Sequence, residues 1–130
     1  MHKTIAYFEI YGDDPSKLAG FYEGLFGWKI ERAPGPNEYW RVHTVPTDAQ
    51  GRPTAPGVNG GLMKRPSPEV RNWLNYVAVE SVDDTVAQAQ QAGGKVLKPK
   101  SPVPGAGWFA ILFDPEKNVF ALWQDDPNAG

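Results

Sequence analysis

Apolar and polar positions alternate over Thr4–Ile10, the two-residue period of a half-buried strand. Ala6, Phe8 and Ile10 fall on one face; Ile5, Tyr7 and Glu9 fall on the other. The period then lengthens. Asp14 can cap a helix and Pro15 suits its first position. Leu18, Phe21, Tyr22 and Leu25 follow at i, i+3, i+4 and i+7, the stripe of a helix packed on one side, and Gly27 ends it. Trp28–Glu31, Tyr39–Val45 and a weaker Gly60–Lys64 read as three further strands.

The second half repeats this order. Asn75–Val79 is strand-like, Asp83 and Asp84 repeat the capping signal, Val82, Val86 and Ala89 form a helical stripe, and Gly93-Gly94 stops it. Lys95–Leu97, Trp108–Phe113 and Val119–Trp123 supply three strands, the last two joined by a turn over Asp114–Asn118. Tyr7 and Tyr76 lie 69 residues apart, as do Asp14 and Asp83, while Gly27 and Gly94 lie 67 apart. A steady offset through strand, cap and helix end predicts a duplicated unit. Val77 and Val79, like Phe120 and Leu122, should face the helices. Tyr76 and Ala78, with Ala121 and Trp123, should line a cavity beside Tyr7 and Glu9.

Composition narrows the class. At 130 residues, 41% hydrophobic and 12% aromatic, the chain has the size and content of one globular domain. A net charge of −2 leaves no electrostatic footprint for nucleic acid or an anionic membrane. The absence of cysteine excludes disulfides and thiolate chemistry. Neither a secretory h-region nor an apolar run of membrane length is present, so the expected location is the cytoplasm. The 14 glycines and 13 prolines cluster in Ala33–Pro36, Pro46–Gly61 and Pro99–Gly107, which read as loops; Pro46–Gly57 and Pro99–Gly107 could be lids or plain connectors.

Two stretches now become specific. Tyr7-Phe8-Glu9-Ile10-Tyr11-Gly12-Asp13-Asp14-Pro15, Phe21-Tyr22 and Leu25-Phe26-Gly27-Trp28 resemble the opening of the glyoxalase/bleomycin-resistance/dioxygenase superfamily, the vicinal oxygen chelate fold. Asn59–Met63, Ala92–Val96, Gly107–Phe109 and Asp114–Phe120 resemble its later elements, so the likeness runs from about Ile5 to Gln124. The resemblance implies an α+β fold of two βαβββ modules forming paired half-barrels. One domain over 1–130 would hold module 1 at about 3–64 and module 2 at about 73–126. It also implies a homodimer and a small organic ligand held where the half-barrels meet. The family's enzymes bind a divalent metal on four strand positions. Those positions carry Tyr7, Tyr76, Ala121 and, at or near it, Gly61, none a suitable donor. No metal or other cofactor is therefore expected.

What remains is an aromatic and polar set. Tyr7, Tyr76, Trp108 and Trp123 could wall a cup for a flat or cationic organic molecule, or simply fill a β interior. Glu9 is a weak catalytic candidate as a base, or pairs with Arg41 to hold strands together. His43, on the strand face of Arg41, looks into the cup or to solvent; with His2 and Glu9 or Glu80 it could nominally improvise a metal site. Gly105–Ala110 fits a dinucleotide-binding spacing but leads into a strand and so lacks the helix N-terminus. Three functions stay open: a metal-free binder, an enzyme (a lyase or dioxygenase with unusual ligands, or an acid–base catalyst using Glu9), and an interaction module with a filled cup.

Overall fold

The computed structural model describes residues 2–130 as eight strands and two helices. They run β1 (Ile5–Gly12), α1 (Pro15–Phe26), β2 (Lys29–Arg32), β3 (Tyr39–His43), β4 (Gly60–Lys64), β5 (Leu74–Ala78), α2 (Val82–Gln91), β6 (Lys95–Val103), β7 (Gly107–Phe113) and β8 (Val119–Asp125). This is βαβββ written twice. The chain divides into two compact units. One is Tyr7–Trp73; the other is Leu74–Gly130 with the N-terminal residues up to Ala6.

Within the first unit the strands lie in the order β2-β3-β4-β1, with β1 and β4 parallel and the other pairs antiparallel. Phe8, Ile10, Ile30, Val42 and Leu62 send their side chains to one side, where they bury against Ala19 and Leu18 of α1. Alternation does the sorting: the residues on either side of each of these must point the other way, and they are polar, aromatic or glycine except for Met63 beside Leu62. Asp14 caps α1 by accepting the Lys17 N–H at 3.2 Å, and Gly27 closes it at φ 70°. Of the expected helical stripe, Leu18 and Tyr22 pack inward, but Phe21 and Leu25 are each 59% exposed. Ala19 takes the buried position instead, because the sheet presses on the helix about one residue round from the stripe's centre.

The second unit has the equivalent order β5-β8-β7-β6, with β5 and β8 parallel. Val79, Val82, Ala110, Leu112 and Leu122 form its helix-side core. Three expectations are corrected here. The cap of α2 is Ser81, accepting the Asp84 N–H at 3.1 Å; Asp83 and Asp84 lie inside the first turn, where carboxylates suit the helix dipole. Pro99–Val103 continues strand β6 instead of starting a loop, its prolines tolerated because β6 is an edge strand with register irregularities. Finally, the caps are Asp14 and Ser81, which lie 67 residues apart as Gly27 and Gly94 do, so the repeat offset read through the helices is 67. Tyr76 therefore corresponds to Glu9, not to Tyr7.

Candidate functional site

The face of the first unit turned away from α1 carries its chemistry. Register fixes the arrangement: Glu9 on β1 and Arg41 on β3 both pair with Gly61 on β4, and Arg41 in turn pairs with Glu31 on β2. One residue row thus reads carboxylate, guanidinium, glycine, carboxylate. In the adjoining row Tyr39 and Tyr11 both pair with Met63. Because Gly61 has no side chain, the Tyr39 ring can lie diagonally across it. A Cβ there would overlap the Tyr39 hydroxyl and ring carbons.

The Tyr39 ring uses that space to reach Glu9. Its hydroxyl donates to Glu9 Oε2 at 2.7 Å and lies 2.6 Å from the Tyr7 hydroxyl. The Tyr11 hydroxyl donates to the other carboxylate oxygen, Oε1. Glu9 is the buried charged residue among the described residues, only 8% exposed, and both of its oxygens are engaged by phenols. A buried carboxylate is tolerable on those terms, since each phenol replaces a lost water.

The same surroundings hold the phenols neutral. Burial pushes Tyr7 up to about 12; the Glu9 charge adds to the rise, while the Tyr39 hydrogen bond and Arg41 oppose it. Tyr39 is raised further still, by burial first and then by the charges of Glu9 and Tyr7. A phenolate is unavailable at physiological pH.

The remaining expected residues separate. Arg41 and His43 share the Tyr39 face of β3, Arg41 exposed and His43 partly enclosed. His43 Nε2 lies 3.2 Å from Glu31 Oε1, close enough for an ion pair when protonated but not aligned as a hydrogen bond. In the second unit Tyr76 pairs with buried Ala121, and Trp123, paired with Ala78, lies on the same sheet face with its ring across Gly107 and its Nε1–H donated to Asp125 at 2.7 Å. Trp108 departs from the expected wall. It packs with the helix-side core, donates Nε1–H to Asp126 at 2.9 Å and carries Lys100 4.5 Å above its ring. Strand parity explains it: Trp108 shares a face with Ala110 and Leu112, which bury beneath α2. Tyr39 and Tyr11, which complete the Glu9 cluster, were not among the expected site residues. The available signal was parity, since both are in phase with Glu9 or Arg41 on their own strands.

A profile described as the glyoxalase/bleomycin resistance protein/dioxygenase superfamily matches residues 4–122. The chain belongs to this superfamily. CFP32 of Mycobacterium bovis and of Mycobacterium tuberculosis, whose name marks it as a glyoxylase only provisionally, is 34% identical over 128 residues, covering 95% of this chain and 45% of the relative. The chain thus spans about half the length of the curated relatives it matches. Among solved structures, a superfamily member from Vibrio splendidus 12B01 superposes with a TM-score of 0.62 at 13% identity over 92% of this chain and 97% of that one. Streptomyces coelicolor methylmalonyl-CoA epimerase, solved with 2-nitronate-propionyl-CoA, gives 0.66 at 14% identity over 100% and 99%. These likenesses show the fold.

The divalent metal that the superfamily implies does not fit the residues present. Among the described residues no three His, Cys, Asp or Glu side chains converge as a ligand set. The register places Gly61 opposite Glu9 and Ala121 opposite Tyr76, so both fourth-strand positions lack a donor atom. At Gly61 the space a donor would need is filled by Tyr39. Also among the described residues, no helix is long and apolar enough to cross a membrane.

Proposed function

We propose that this superfamily member binds a small organic molecule without a metal, using the phenol-lined face around Glu9 in the first unit. The observation that carries this reading is the Tyr7–Tyr39–Glu9–Tyr11 hydrogen-bond chain. It is a fully engaged polar cluster on a sheet face, where packing alone would be served as well by apolar residues. Two of its phenols, Tyr7 and Tyr39, remain partly exposed and can meet a ligand through ring faces and oxygens. Tyr76 and Trp123 provide an aromatic surface of the same kind in the second unit. The test is a thermal-shift screen of small organic molecules on the intact chain. Stabilisation by a ligand that Tyr39→Ala abolishes supports the reading. A screen whose every hit survives Tyr39→Ala and Tyr7→Ala defeats it.

An acid–base role for Glu9 is the second reading, supported by the relay of hydroxyls that ends on it. Since both carboxylate oxygens already accept phenol protons, a catalytic step would first break one of those bonds. Unchanged turnover of an identified substrate by Glu9→Gln would remove this role.

A homodimer belongs to the same proposal, as does a cytoplasmic location. Phe21, Leu25 and Phe26 of α1 are 59%, 59% and 55% exposed, a contiguous apolar face. The matched relatives are long enough to hold a second domain of similar size beside the matched stretch. A second copy of the chain is the proposed cover for this face. Sedimentation of Leu25→Glu as a monomer against a dimeric parent is the expected result; a monomeric parent at micromolar concentration refutes it.

A further inference from the structure

In the second unit the face turned away from α2 sorts its charge along the strands. Ala110, Leu112 and Leu122 take the helix side, so their neighbours on β7 and β8 take the other. The ladders add β6 to that second face: Lys98 pairs with Ile111, Ser101 with Phe109, and Phe109 with Trp123, while Lys95 opens the preceding row opposite Phe113. Both lysines are exposed, at one end of the face. Its carboxylate, Asp125, stands opposite Gly107 at the other end, two rows from Lys98.

Lys98 differs from its neighbour Lys100 in how its charge is met. Lys100, on the helix side, lies 4.5 Å above the Trp108 ring and donates to Asp83 at 2.9 Å. Lys98 folds over the half-buried Phe109 ring at 5.9 Å, close to the outer limit of about 6 Å for such a contact. Among the described residues neither Lys98 nor Lys95 forms an ion pair. The neutral donors beside Phe109 are already spent. Ser101 gives its hydroxyl proton to the Pro99 carbonyl at 2.8 Å, and Trp123 gives its N–H to Asp125 at 2.7 Å. The donors left around the Phe109 ring are therefore ammonium groups.

We propose that this face of the second unit is a site for a flat aromatic carboxylate, its carboxylate held by Lys98 and Lys95 and its ring laid against Phe109. The exchange favours binding, because Lys98 gives up a weak contact with a ring for a full opposite charge, and the ligand's ring takes the place beside Phe109 that the ammonium leaves. Asp125 lies too far along the strands to neutralise the lysines, and its carboxylate is held by Trp123. The proposal concerns the second unit alone and does not depend on the Glu9 face.

The test is amide chemical-shift titration of the intact chain with benzoate, benzamidinium and acetate, read at Lys98, Phe109 and Ile111. Benzoate is expected to bind there about tenfold more tightly than benzamidinium, since one gains an opposite charge and the other meets a like one. Acetate, which has the charge without the ring, should bind about tenfold more weakly than benzoate. Lys98→Gln should narrow the benzoate-to-benzamidinium ratio to about threefold or less, and Lys98→Arg should keep it. Benzamidinium binding as tightly as benzoate overturns the proposal, and so does acetate binding as tightly as benzoate. An unchanged ratio in folded Lys98→Gln, or no response of these amides to benzoate, also overturns it. Shifts at Tyr7, Glu9 and Gly61 report the first unit's face separately, so the two readings stand or fall apart.

Discussion

Replacing Gly61 with alanine has an unusual expected sign. In an unobstructed strand, Gly→Ala removes backbone freedom from the unfolded chain and stabilises by about 0.5–1 kcal/mol. At Gly61 the added methyl would fall inside the Tyr39 hydroxyl and Cζ and 2.9 Å from Cε1. Gly61 is held in two ladders, by β1 and by β3, so the backbone cannot retreat. The side chain that moves is Tyr39, whose far end is the obstacle. Swinging it aside costs its bond to the Glu9 carboxylate, about 1.5–3 kcal/mol for a charged acceptor, and leaves Oε2 short of a partner. The net for Gly61→Ala is a loss of about 1–2 kcal/mol, which urea denaturation would read as a midpoint lowered by roughly 0.5–1 M. In a Tyr39→Ala background the obstacle is gone, and the same Gly61→Ala change should stabilise by about 0.5–1 kcal/mol. The four-member cycle should therefore give a coupling of about 2 kcal/mol. A Gly61→Ala protein as stable as its parent, or additivity with Tyr39→Ala, refutes the claim that Tyr39 occupies the space over Gly61.

Other expectations follow from the same geometry. Gly60→Ala should be worse than Gly61→Ala and not rescuable by any side-chain change, because the new methyl meets the Phe8 backbone carbonyl; failure to find folded protein, or a midpoint below that of Gly61→Ala, is the expected result. Tyr7 is raised in the folded state, so its contribution to stability is complete below pH 10 and declines as pH rises from 10 towards 12, by up to about 1.4 kcal/mol per pH unit. Denaturation midpoints between pH 9 and 11.5 should fall more steeply for the parent than for Tyr7→Phe, and parallel curves would contradict the burial. Asp14→Ala should cost about 1 kcal/mol through the lost cap on the Lys17 N–H, visible as a lowered melting temperature. Because the described residues make no chelating set, EDTA should leave the melting temperature unchanged, and elemental analysis of chelator-free protein should find no stoichiometric Ni, Zn, Mn or Fe.

The fold was legible because alternation and helical stripes are local. Phe8 and Ile10 had to share a face, as did Phe120 and Leu122, and each pair does bury on the helix side. The cap of α2 misled because Ser81 and Asp83 are both good capping residues two positions apart; which one caps depends on where the preceding strand ends. That slip also misaligned the repeat, matching Tyr76 with Tyr7 where the offset between the two caps matches it with Glu9. Trp108 was misplaced for a related reason: a lone aromatic near a strand's start takes its face from the register, and Gly107 shows no parity of its own.

The Glu9 cluster was the least legible part, and the reason is three-dimensional. Tyr7, Glu9 and Tyr11 lie on one strand face and could be read off as a set, but a carboxylate among phenols on an isolated strand has no stated partner. The partner is Tyr39, thirty residues on, and it arrives only because the intervening strand offers glycine at position 61. The family's ligand positions and this cluster thus compete for the same ground. A donor side chain at 61 would expel Tyr39 and break the relay, whereas Tyr39 in place denies that position to any donor. Phenol relay and metal site are alternative uses of one sheet face, and in this chain the ring of Tyr39 over Gly61 has taken the first.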